Sequence, residues 1–272
     1  TIEVGDGASI RANTGSVSFD RTVYPVPWDS NDFAEHSTAS GTEYLDAGSV
    51  AVHISIEDAD YDVSAFGQDS ISSSVISVKV TRGSIASANL ASTTATILET
   101  SPTSGIFEYD LTIASGDISG SGTFASTDIV QQGDIITVTY TDPQDASGKS
   151  QTVTDSSSFD LRNGTLQADK SVYLIGSDMI LTLIEPDFDL DNDETESYRL
   201  DLIEWDSDAA ETVLGSGGGS TNAAAFDPEP SAFRETGDST GIFQVVIEIP
   251  DTLDGNLLDR GEKIDLEYTD WG

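Results

Sequence analysis

Carboxylates dominate the side chains that could do chemistry, and their densest run is DFDLDNDETE in the second half of the chain. The candidate ligands in and just before this run are Glu185, Asp187, Asp189, Asp191, Asp193 and Glu194. They fall at alternate or adjacent positions, so in an extended turn several carboxylates would converge from one side. Hard cations such as Ca²⁺ take about six to eight oxygen ligands, which dense acidic turns supply. The run therefore predicts a site for Ca²⁺ or another divalent cation, and the alternative is a solvated acidic loop.

A matching acidic turn occurs earlier, where Asp58, Asp60 and Asp62 lie in the run EDADYD. Both turns keep Asp-aromatic-Asp while the neighbouring residues differ, which favours a cation site in each. The later turn is not an EF-hand, because Asn192 stands where that loop needs glycine. Carboxylates from other strands could complete the two sites, and the candidates are Glu99, Asp142, Glu235 and Asp270.

The acidic turns belong to an internal repeat of three blocks that recur in the same order. An alternating run that ends in an acidic turn, ISIEDADYD, returns as LTLIEPDFD. The sequence ETSPTSGIF at Glu99–Phe107 returns as ETGDSTGIF at Glu235–Phe243. The segment Gly133–Asp142 returns as Gly261–Asp270, and Tyr-Thr-Asp closes both copies. The sequence therefore predicts one structural module in two copies.

The elements that must position these acids are predicted to be β-strands. Each repeat carries about seven short strand-like segments separated by Gly, Ser, Asn and Asp clusters, which is typical of antiparallel sandwiches. We therefore predict an all-β chain of tandem immunoglobulin-like antiparallel β-sandwich domains at 16–162 and 163–272, the first with an insertion at about 25–47. Residues 1–15 would be the last strand of a preceding domain, and the second domain would be truncated at its C-terminal end. Thr1–Ile10 could instead pair within this chain.

The charge balance is extreme, with 49 acidic against 11 basic residues and a formal net charge of −38. Phosphate backbones are bound by clustered Lys and Arg, so we expect no nucleic acid among the partners. Cations, or proteins bridged by cations, suit this charge, which favours an ion-rich setting such as seawater, brine or a calcium-rich exterior, and the alternative is acidity that serves only solubility. No apolar run approaches the roughly 18 residues of a membrane-spanning helix, and the chain has no cysteine. The sequon Asn163-Gly164-Thr165, at the predicted joint, is a candidate glycosylation site.

The inventory of catalytic groups is thin, which predicts a non-enzyme. The only histidines are His36, in the insertion, and His53, which faces outward in a strand whose alternate residues face the core. The glycine-rich stretch at Gly215–Gly219 precedes small polar residues and does not have the pattern of a phosphate-binding loop. The glycine of each (Ser/Thr)-Gly-Ile-Phe block predicts a tight turn with Ile and Phe in the core, and a ligand-binding role is the alternative.

Four motifs together resemble those of a known family. They are the glutamate-led (Ser/Thr)-Gly-Ile-Phe block, the Gly-(Asp/Glu)-x-Ile strand that closes with Tyr-Thr-Asp, the strand ending in Asp-aromatic-Asp, and the opening Thr22–Trp28. These motifs are similar to the repeated immunoglobulin-like domains of surface-layer (S-layer) proteins from ammonia-oxidising (thaumarchaeal) archaea. The resemblance implies a structural role, in which identical subunits tile a two-dimensional lattice over the cell and divalent cations stabilise domains and contacts. The second repeat departs from the family at Val172–Ile175, which lacks the prolines.

Two other functions stay open on the sequence alone. An extracellular adhesin stalk or carbohydrate-binding array would use the insertion Pro25–Ala47 as a recognition loop, with Trp28, Phe33 and Tyr44 as contacts. A salt-adapted hydrolase would need a pocket that holds an acid with a perturbed pKa.

Overall fold

The structure is a computed structural model that describes residues 12–29, 45–215 and 222–270. Strands and short 3₁₀ turns make up the regular structure of these ranges, which contain no α-helix. The predicted all-β fold is therefore confirmed, and its sheets are mainly antiparallel. None of the helical turns in these ranges is long and apolar enough to cross a membrane.

Ten strands build two five-stranded sheets in the first half of the chain. They are β1 (Ser16–Phe19), β2 (Val23–Pro25), β3 (Val50–Glu57), β4 (Ser70–Ser72), β5 (Ile76–Arg82), β6 (Ile85–Ala86), β7 (Thr96–Glu99), β8 (Ile106–Ile113), β9 (Ile135–Asp142) and β10 (Gln151–Asp160). One sheet has the order β1-β3-β8-β7-β4 and the other has the order β2-β10-β9-β5-β6. All neighbouring strands are antiparallel except β10 and β2, which are parallel.

Ten further strands build the second half. They are β11 (Thr165–Ala168), β12 (Asp178–Ile184), β13 (Ser197–Tyr198), β14 (Ile203–Asp206), β15 (Glu211–Val213), β16 (Glu229–Glu235), β17 (Ile242–Glu248), β18 (Thr252–Leu253), β19 (Asn256–Leu257) and β20 (Asp265–Tyr268). One sheet has the order β11-β12-β17-β16-β13, another has the order β15-β14-β20, and β18 pairs with β19. Among the described residues, 3₁₀ turns span Ser73–Val75, Pro186–Phe188, Leu200–Leu202 and Ala223–Ala225.

The two halves, called the first and second units below, repeat one strand order. The sheet β1-β3-β8-β7-β4 corresponds strand for strand to β11-β12-β17-β16-β13, and β6-β5-β9 corresponds to β15-β14-β20. The first unit continues past β9 with β10 and β2, whereas no strand of the described ranges pairs with the other edge of β20. The domain boundaries and the immunoglobulin-like class remain predictions.

Alternating apolar residues place the core of each unit. In β3 the inward side chains are Val50, Val52, Ile54 and Ile56, all of them fully buried. The strand β12 repeats this alternation in the second unit. Burial of one Val or Ile side chain stabilises the fold by roughly 1.5–3 kcal/mol. A register slip of one residue would expose all of them, so the alternation fixes which face of each sheet turns inward.

A tryptophan of the first unit packs into the core of the second. Trp28 is 2% exposed and, together with Leu45, belongs to the hydrophobic cluster of the second unit. Its ring centroid lies 5.6 Å from that of Phe188. Its indole N–H donates to the backbone carbonyl of Asp46 at 2.9 Å, so the polar edge of the ring is satisfied as well.

The predicted loop Pro25–Ala47 thus places Trp28 near its start and Leu45 near its end in a hydrophobic core, while Asp46 and Ala47 are exposed. A bulky aromatic side chain such as Trp28 is stabilised by a fully apolar environment, whatever the polarity of its neighbours in sequence. The other residues that the sequence singled out in the insertion, Phe33, His36 and Tyr44, lie outside the described residues.

Candidate metal centres

Three acids of the second unit, called the second acid cluster, bring carboxylate oxygens within 4.8 Å of one another. Asp189 directly follows the 3₁₀ turn after β12, Glu196 directly precedes β13, and Glu235 is the last residue of β16. The ends of β12 and β16 lie on either side of the start of β17, and β13 pairs with β16. One corner of the sheet therefore positions all three carboxylates.

The first acid cluster consists of Asp62, Asp69 and Glu99, whose carboxylate oxygens also lie within 4.8 Å of one another. Asp62 closes the acidic turn after β3, Asp69 directly precedes β4, and Glu99 is the last residue of β7. Since β3, β4 and β7 are the counterparts of β12, β13 and β16, each acid has its equivalent in the second cluster. The two units therefore carry the same three-carboxylate arrangement on equivalent strands.

The same backbone donors hold the glutamate of each cluster. Glu99 Oε1 accepts the N–H of Gly105 at 2.7 Å, and Glu235 Oε1 accepts the N–H of Gly241 at 2.8 Å. The other carboxylate oxygen accepts the N–H of the second acid of its own cluster, at 3.1 and 3.4 Å respectively. Both glycines have a positive φ, 61° and 57°, which side-chain-bearing residues rarely adopt. The Glu…Gly-Ile-Phe block is therefore the frame that orients one carboxylate of each cluster.

The middle acid of each cluster was missed by sequence reasoning. Asp69 and Glu196 each accept the N–H groups of the two residues that follow the turn aspartate. The distances are 2.7 and 2.7 Å to Asp69 Oδ2, and 2.9 and 2.7 Å to Glu196 Oε1. A signal was present, because both acids stand seven residues after the last Asp of Asp-aromatic-Asp and directly before a serine.

Carboxylate crowding perturbs the ionisation of the second cluster. Burial, together with the neighbouring Glu235, raises the pKa of Glu196 to about 8. Burial also raises the pKa of Asp189, although the charge of Arg21 opposes this shift. The Oε2 atom of Glu196 is buried and has no hydrogen-bond partner among the described residues. A cation among the three carboxylates would coordinate this oxygen and offset the repulsion.

A basic residue distinguishes the two clusters. Arg21 Nη2 lies 2.7 Å from Asp189 Oδ1, and Arg21 Nη1 donates to the Asp189 carbonyl at 2.6 Å. In the described part of the chain, no lysine or arginine forms an ion pair with an acid of the first cluster. Burial opposes ionisation of Glu99, yet N–H donors from Asp69 and Gly105 outweigh it and lower its pKa. The first cluster therefore holds more uncompensated negative charge.

Two further predicted ligands, Asp58 and Asp142, accept hydrogen bonds that fix the start of the first unit, an arrangement called a clasp below. The hydroxyl of Tyr140 donates to Asp58 Oδ2 at 2.5 Å, and the N–H of Gly15 donates to Asp142 Oδ2 at 2.9 Å. Asp58 and Asp142 are both 1% exposed. Burial, together with the charge of Asp142, raises the pKa of Asp58, although the Tyr140 hydroxyl opposes the shift. These two acids join the beginning of the unit to its last strands instead of completing an acid cluster.

The second unit begins with the same clasp. The hydroxyl of Tyr268 donates to Glu185 Oε2 at 2.8 Å, and the N–H of Gly164 donates to Asp270 Oδ2 at 2.9 Å. Burial and the charge of Asp270 raise the pKa of Glu185 to about 8. A side chain at Gly164 would place its Cβ 2.7 Å from Tyr268 Cε1. The repeated Tyr-Thr-Asp motif, whose aspartate the sequence nominated as an additional metal ligand, therefore holds the joint before each unit.

Asp60 and Asp187, the central acids of the two acidic turns, bind the residues that directly precede each clasp. Asp60 Oδ1 accepts the N–H of Asn13 at 2.9 Å. Asp187 accepts the N–H of Arg162 at 2.6 Å and its Nε–H at 3.0 Å. Burial raises the pKa of Asp187, and Arg162 opposes the shift. The next residue, Asn163, is exposed, and its glycosylation stays a prediction.

The end of the acidic run turns toward the first unit. Asp191 Oδ1 lies 3.0 Å from His53 Nε2, while Asp193 and Glu194 are exposed. The expected convergence of the whole run on one point is therefore not what the structure shows. The carboxylates of the run accept hydrogen bonds from different backbone N–H groups and basic side chains. They are therefore divided among a clasp, an acid cluster and a contact with His53.

Comparison with known proteins adds no family name to this geometry. No protein-family model matches the chain, and no match to it was found among curated proteins. The strongest functional signal is thus the pair of equivalent acid clusters.

Proposed function

We propose that the chain is a non-enzymatic structural subunit of an extracellular cell-surface (S-layer) lattice, and that its two acid clusters bind Ca²⁺. The observation that supports the cation sites is the recurrence of one arrangement of three acids, on equivalent strands and with equivalent backbone donors. Burying an ionised carboxylate without a counter-charge is costly. A solvated acidic loop gives no reason to bury the glutamate of each cluster, Glu99 or Glu235, at the same position in both copies.

The geometry suits a hard divalent cation. Ca²⁺ binds oxygens at about 2.3–2.6 Å in a flexible arrangement, so two ligands on opposite sides of the ion are separated by about 5 Å. The oxygens in each cluster lie within 4.8 Å of one another. Each cluster consists of carboxylates alone, with no imidazole or thiolate that would favour zinc or copper. Carboxylates contribute one or two oxygens each, and water would complete the coordination shell.

The contacts between the units support a structural role. The N–H of Ala51 in β3 donates to the Leu190 carbonyl of the second unit at 2.9 Å. The Asn192 amide donates to Asp20 at 2.8 Å, and Arg21 pairs with Asp189. A cation at the second acid cluster would tighten the turn that makes all these contacts. Two units held at a fixed angle provide the constant spacing that a lattice requires.

The surroundings of the histidine support a non-enzymatic function. His53 Nδ1 lies 2.9 Å from Asp110 Oδ1, and His53 Nε2 lies 3.0 Å from Asp191 Oδ1. With a carboxylate on each ring nitrogen, the imidazole has no nitrogen left to exchange a proton with a substrate. The adhesin alternative has less support, because Trp28, which a sugar-binding platform would have to expose, is 2% exposed.

A calorimetric titration tests the cation sites. The chain, freed of metal with a chelator, is titrated with Ca²⁺ at neutral pH, and we expect two bound ions per chain, one for each acid cluster. Electron microscopy of the protein with Ca²⁺ and with EGTA tests the lattice, and we expect ordered sheets only with Ca²⁺. Absence of binding heat, or sheets that form equally well in EGTA, would contradict the role of calcium.

A further inference from the structure

The loop at residues 63–68, between the acidic turn and β4, carries an exposed apolar surface and is called the first loop below. Phe66 is 98% exposed and Val63 is 81% exposed, more than any other large apolar side chain of the described residues. Asp69 Oδ2 accepts the N–H groups of Val63 and Ser64, each at 2.7 Å, so the start of the loop has a fixed shape. Apolar side chains held out into solvent by a fixed backbone are typical of an interaction site.

The counterpart of this loop in the second unit, residues 190–195, already makes a docking contact inside the chain and is called the second loop. Its first residue, Leu190, packs against the hydrophobic cores of both units. The Leu190 carbonyl accepts the N–H of Ala51 in β3 of the first unit at 2.9 Å. Val63 is the counterpart of Leu190, and the two loops have the same length and the same carboxylate cap. The first loop therefore has the shape of a loop that docks.

The surface that receives the second loop, called the β3 face, has a counterpart on β12. In the first unit the Asp20 N–H donates to the His53 carbonyl at 3.1 Å, and Asp20 Oδ1 accepts the His53 N–H at 3.1 Å. In the second unit Asp169 and Ile180 form the same two hydrogen bonds, at 3.0 and 2.9 Å. The second unit therefore presents an equivalent surface, called the β12 face, with Ile180 in place of His53.

The β12 face is more open to solvent than the β3 face. Ile180 is 42% exposed, whereas the side chain of His53, beneath the second loop, is 19% exposed. The side chain of Lys170, the counterpart of Arg21, is 56% exposed, whereas that of Arg21 is 9% exposed. The β12 face therefore has room for a loop of the same kind.

The basic residue of the β12 face can accept a second carboxylate. Lys170 Nζ lies 3.2 Å from the adjacent Asp169. Arg21 likewise has an aspartate directly before it in the sequence, and it still pairs with Asp189 at 2.7 Å. Asp62, which precedes the first loop, is the counterpart of Asp189. A docked first loop would therefore bring Asp62 to Lys170.

The existing contact is polar at its centre. His53 Nε2 lies 3.0 Å from Asp191 Oδ1 of the second loop, and His53 Nδ1 lies 3.9 Å from Asp193 Oδ2 of the same loop. Asp110, which pairs with His53 across β3 and β8, lies 2.9 Å from the imidazole. One imidazole therefore lies among three carboxylates, two from the loop and one from the face.

The counterparts of these four residues are all uncharged. They are Ser64 and Phe66 in the first loop, and Ile180 and Val246 on the β12 face. Phe66 would lie by Ile180 where the second loop places Asp193 by His53. The loop and its receiving face thus change together from polar to apolar. Exchanging the loops would bury an unpaired charge, so each loop is suited to its own face.

We propose that the first loop of one copy docks on the β12 face of a second copy, in the way that the second loop docks on the β3 face within the chain. The two surfaces differ, so the contact is heterologous and can be repeated from copy to copy. The inference deepens the proposed lattice function and rests on it for the cell-surface setting. The contact itself is built from loop and strand residues and needs no cation.

Thiol cross-linking tests the contact, since the chain has no cysteine of its own. Ala51 and Leu190 share a backbone hydrogen bond in the existing contact, and their counterparts are Asp178 and Val63. Chains with Val63→Cys are mixed with chains with Asp178→Cys and treated with a short bismaleimide, and we expect a mixed dimer identified by its mass. The matched control is Val63→Cys with Ala51→Cys, where the second loop already covers the face and no mixed dimer is expected.

The outcomes separate this contact from the calcium proposal. Mixed dimer that forms equally in EGTA and in Ca²⁺ supports the loop contact, even where calorimetry finds no calcium site. Equal yields from the test and control pairs would overturn the contact, as would the absence of mixed dimer from the test pair.

A charge exchange tests which side chains meet. Phe66→Asp on the chain that carries Val63→Cys places an unpaired carboxylate against Ile180, and we expect it to reduce the yield of mixed dimer by about tenfold. Ile180→His on the other chain rebuilds the pair that Asp193 and His53 form in the existing contact, and we expect it to restore most of the yield. An unchanged yield with Phe66→Asp, or no recovery with Ile180→His, would overturn the proposed register. Urea unfolding of each variant confirms that it is folded.

Discussion

His53 Nε2 in the first unit lies 3.0 Å from Asp191 Oδ1 in the second, so one imidazole carries a polar contact between the two units. The sequence predicted a solvated histidine on the outer face of β3. His53 does point away from the core, yet the acidic turn of the second unit covers it and leaves its side chain 19% exposed. The other acids that face it are Asp20, Asp110 and Asp193.

This environment predicts a pH dependence. Burial by itself lowers the pKa of His53, but hydrogen bonds with Asp110 and Asp191 and the charge of Asp20 outweigh burial and raise the pKa from 6.5 to about 9. The folded state binds the proton more tightly than the unfolded chain. The resulting stabilisation is therefore complete below about pH 6.5 and is lost as the pH rises through about 9. We expect the free energy of unfolding, measured in urea, to fall across this window and to fall less in His53→Gln.

A direct titration provides the control for His53. The chain has one other histidine, His36, so His36→Gln leaves a single imidazole whose ring signals can be followed by NMR. We expect a midpoint near 9 rather than near 6.5. A midpoint near the ordinary value would contradict the ion pair across the units.

Removing the middle acid of one cluster should strongly weaken the cation site at that cluster and leave the other site intact. Glu196→Gln affects the second acid cluster, and Asp69→Asn affects the first. Ligand charge sets Ca²⁺ affinity, so we expect each variant to lose binding at its own cluster by about tenfold or more. Calorimetry would then report one strong site instead of two in each variant. Glu108→Gln, which removes an exposed acid of β8, is the matched control and should keep both sites.

The clasp at the second joint leaves no room for a methyl group at Gly164. In Gly164→Ala the new Cβ would lie 2.7 Å from Tyr268 Cε1 and would press on the Glu185 carboxylate. Overpacking of this kind typically costs about 1–3 kcal/mol, and we expect a loss of stability in that range by denaturant unfolding. Gly116→Ala is the control, because a Cβ at Gly116 has nothing within 4 Å. Equal stability of the two variants would show that the joint adapts without cost.

Trp28→Ala should destabilise the protein although the residue lies in a polar stretch of sequence. Truncating a buried aromatic side chain leaves a cavity and typically costs about 3–5 kcal/mol. Phe66, which is 98% exposed, provides the control, and Phe66→Ala should change stability by less than about 0.5 kcal/mol. The comparison is made by chemical denaturation. A small effect of Trp28→Ala, together with loss of glycan binding, would favour the adhesin function instead.

Much of the fold follows from patterns that the sequence displays. The alternation of Val50–Ile56 predicts a strand, and the structure has one at Val50–Glu57. The three repeated blocks correspond to equivalent strands, because copies of one sequence bury the same side chains in the same register. The packing of Trp28 could not be predicted, since the partner core lies far away along the chain.

The site was only partly predictable for a related reason. The sequence gives the two acidic turns and nominates Glu99 and Glu235, and the structure brings each glutamate to its turn. The sequence does not show that Asp142 and Asp270 lie at the joints, because strand pairing across the unit fixes both ends of each clasp. Sequence patterns report local structure well, whereas the partner of a carboxylate depends on tertiary packing.

The indole anchored across the units has a mechanical consequence. Tension that pulls the two units apart must draw Trp28 away from Phe188 and break the ion pair of Arg21 with the next residue, Asp189. Contacts that must rupture together resist stretching far better than contacts that open one after another. In the proposed lattice, osmotic swelling of a cell would therefore open the contacts between neighbouring molecules first, while the two units of each molecule would move together as a rigid body.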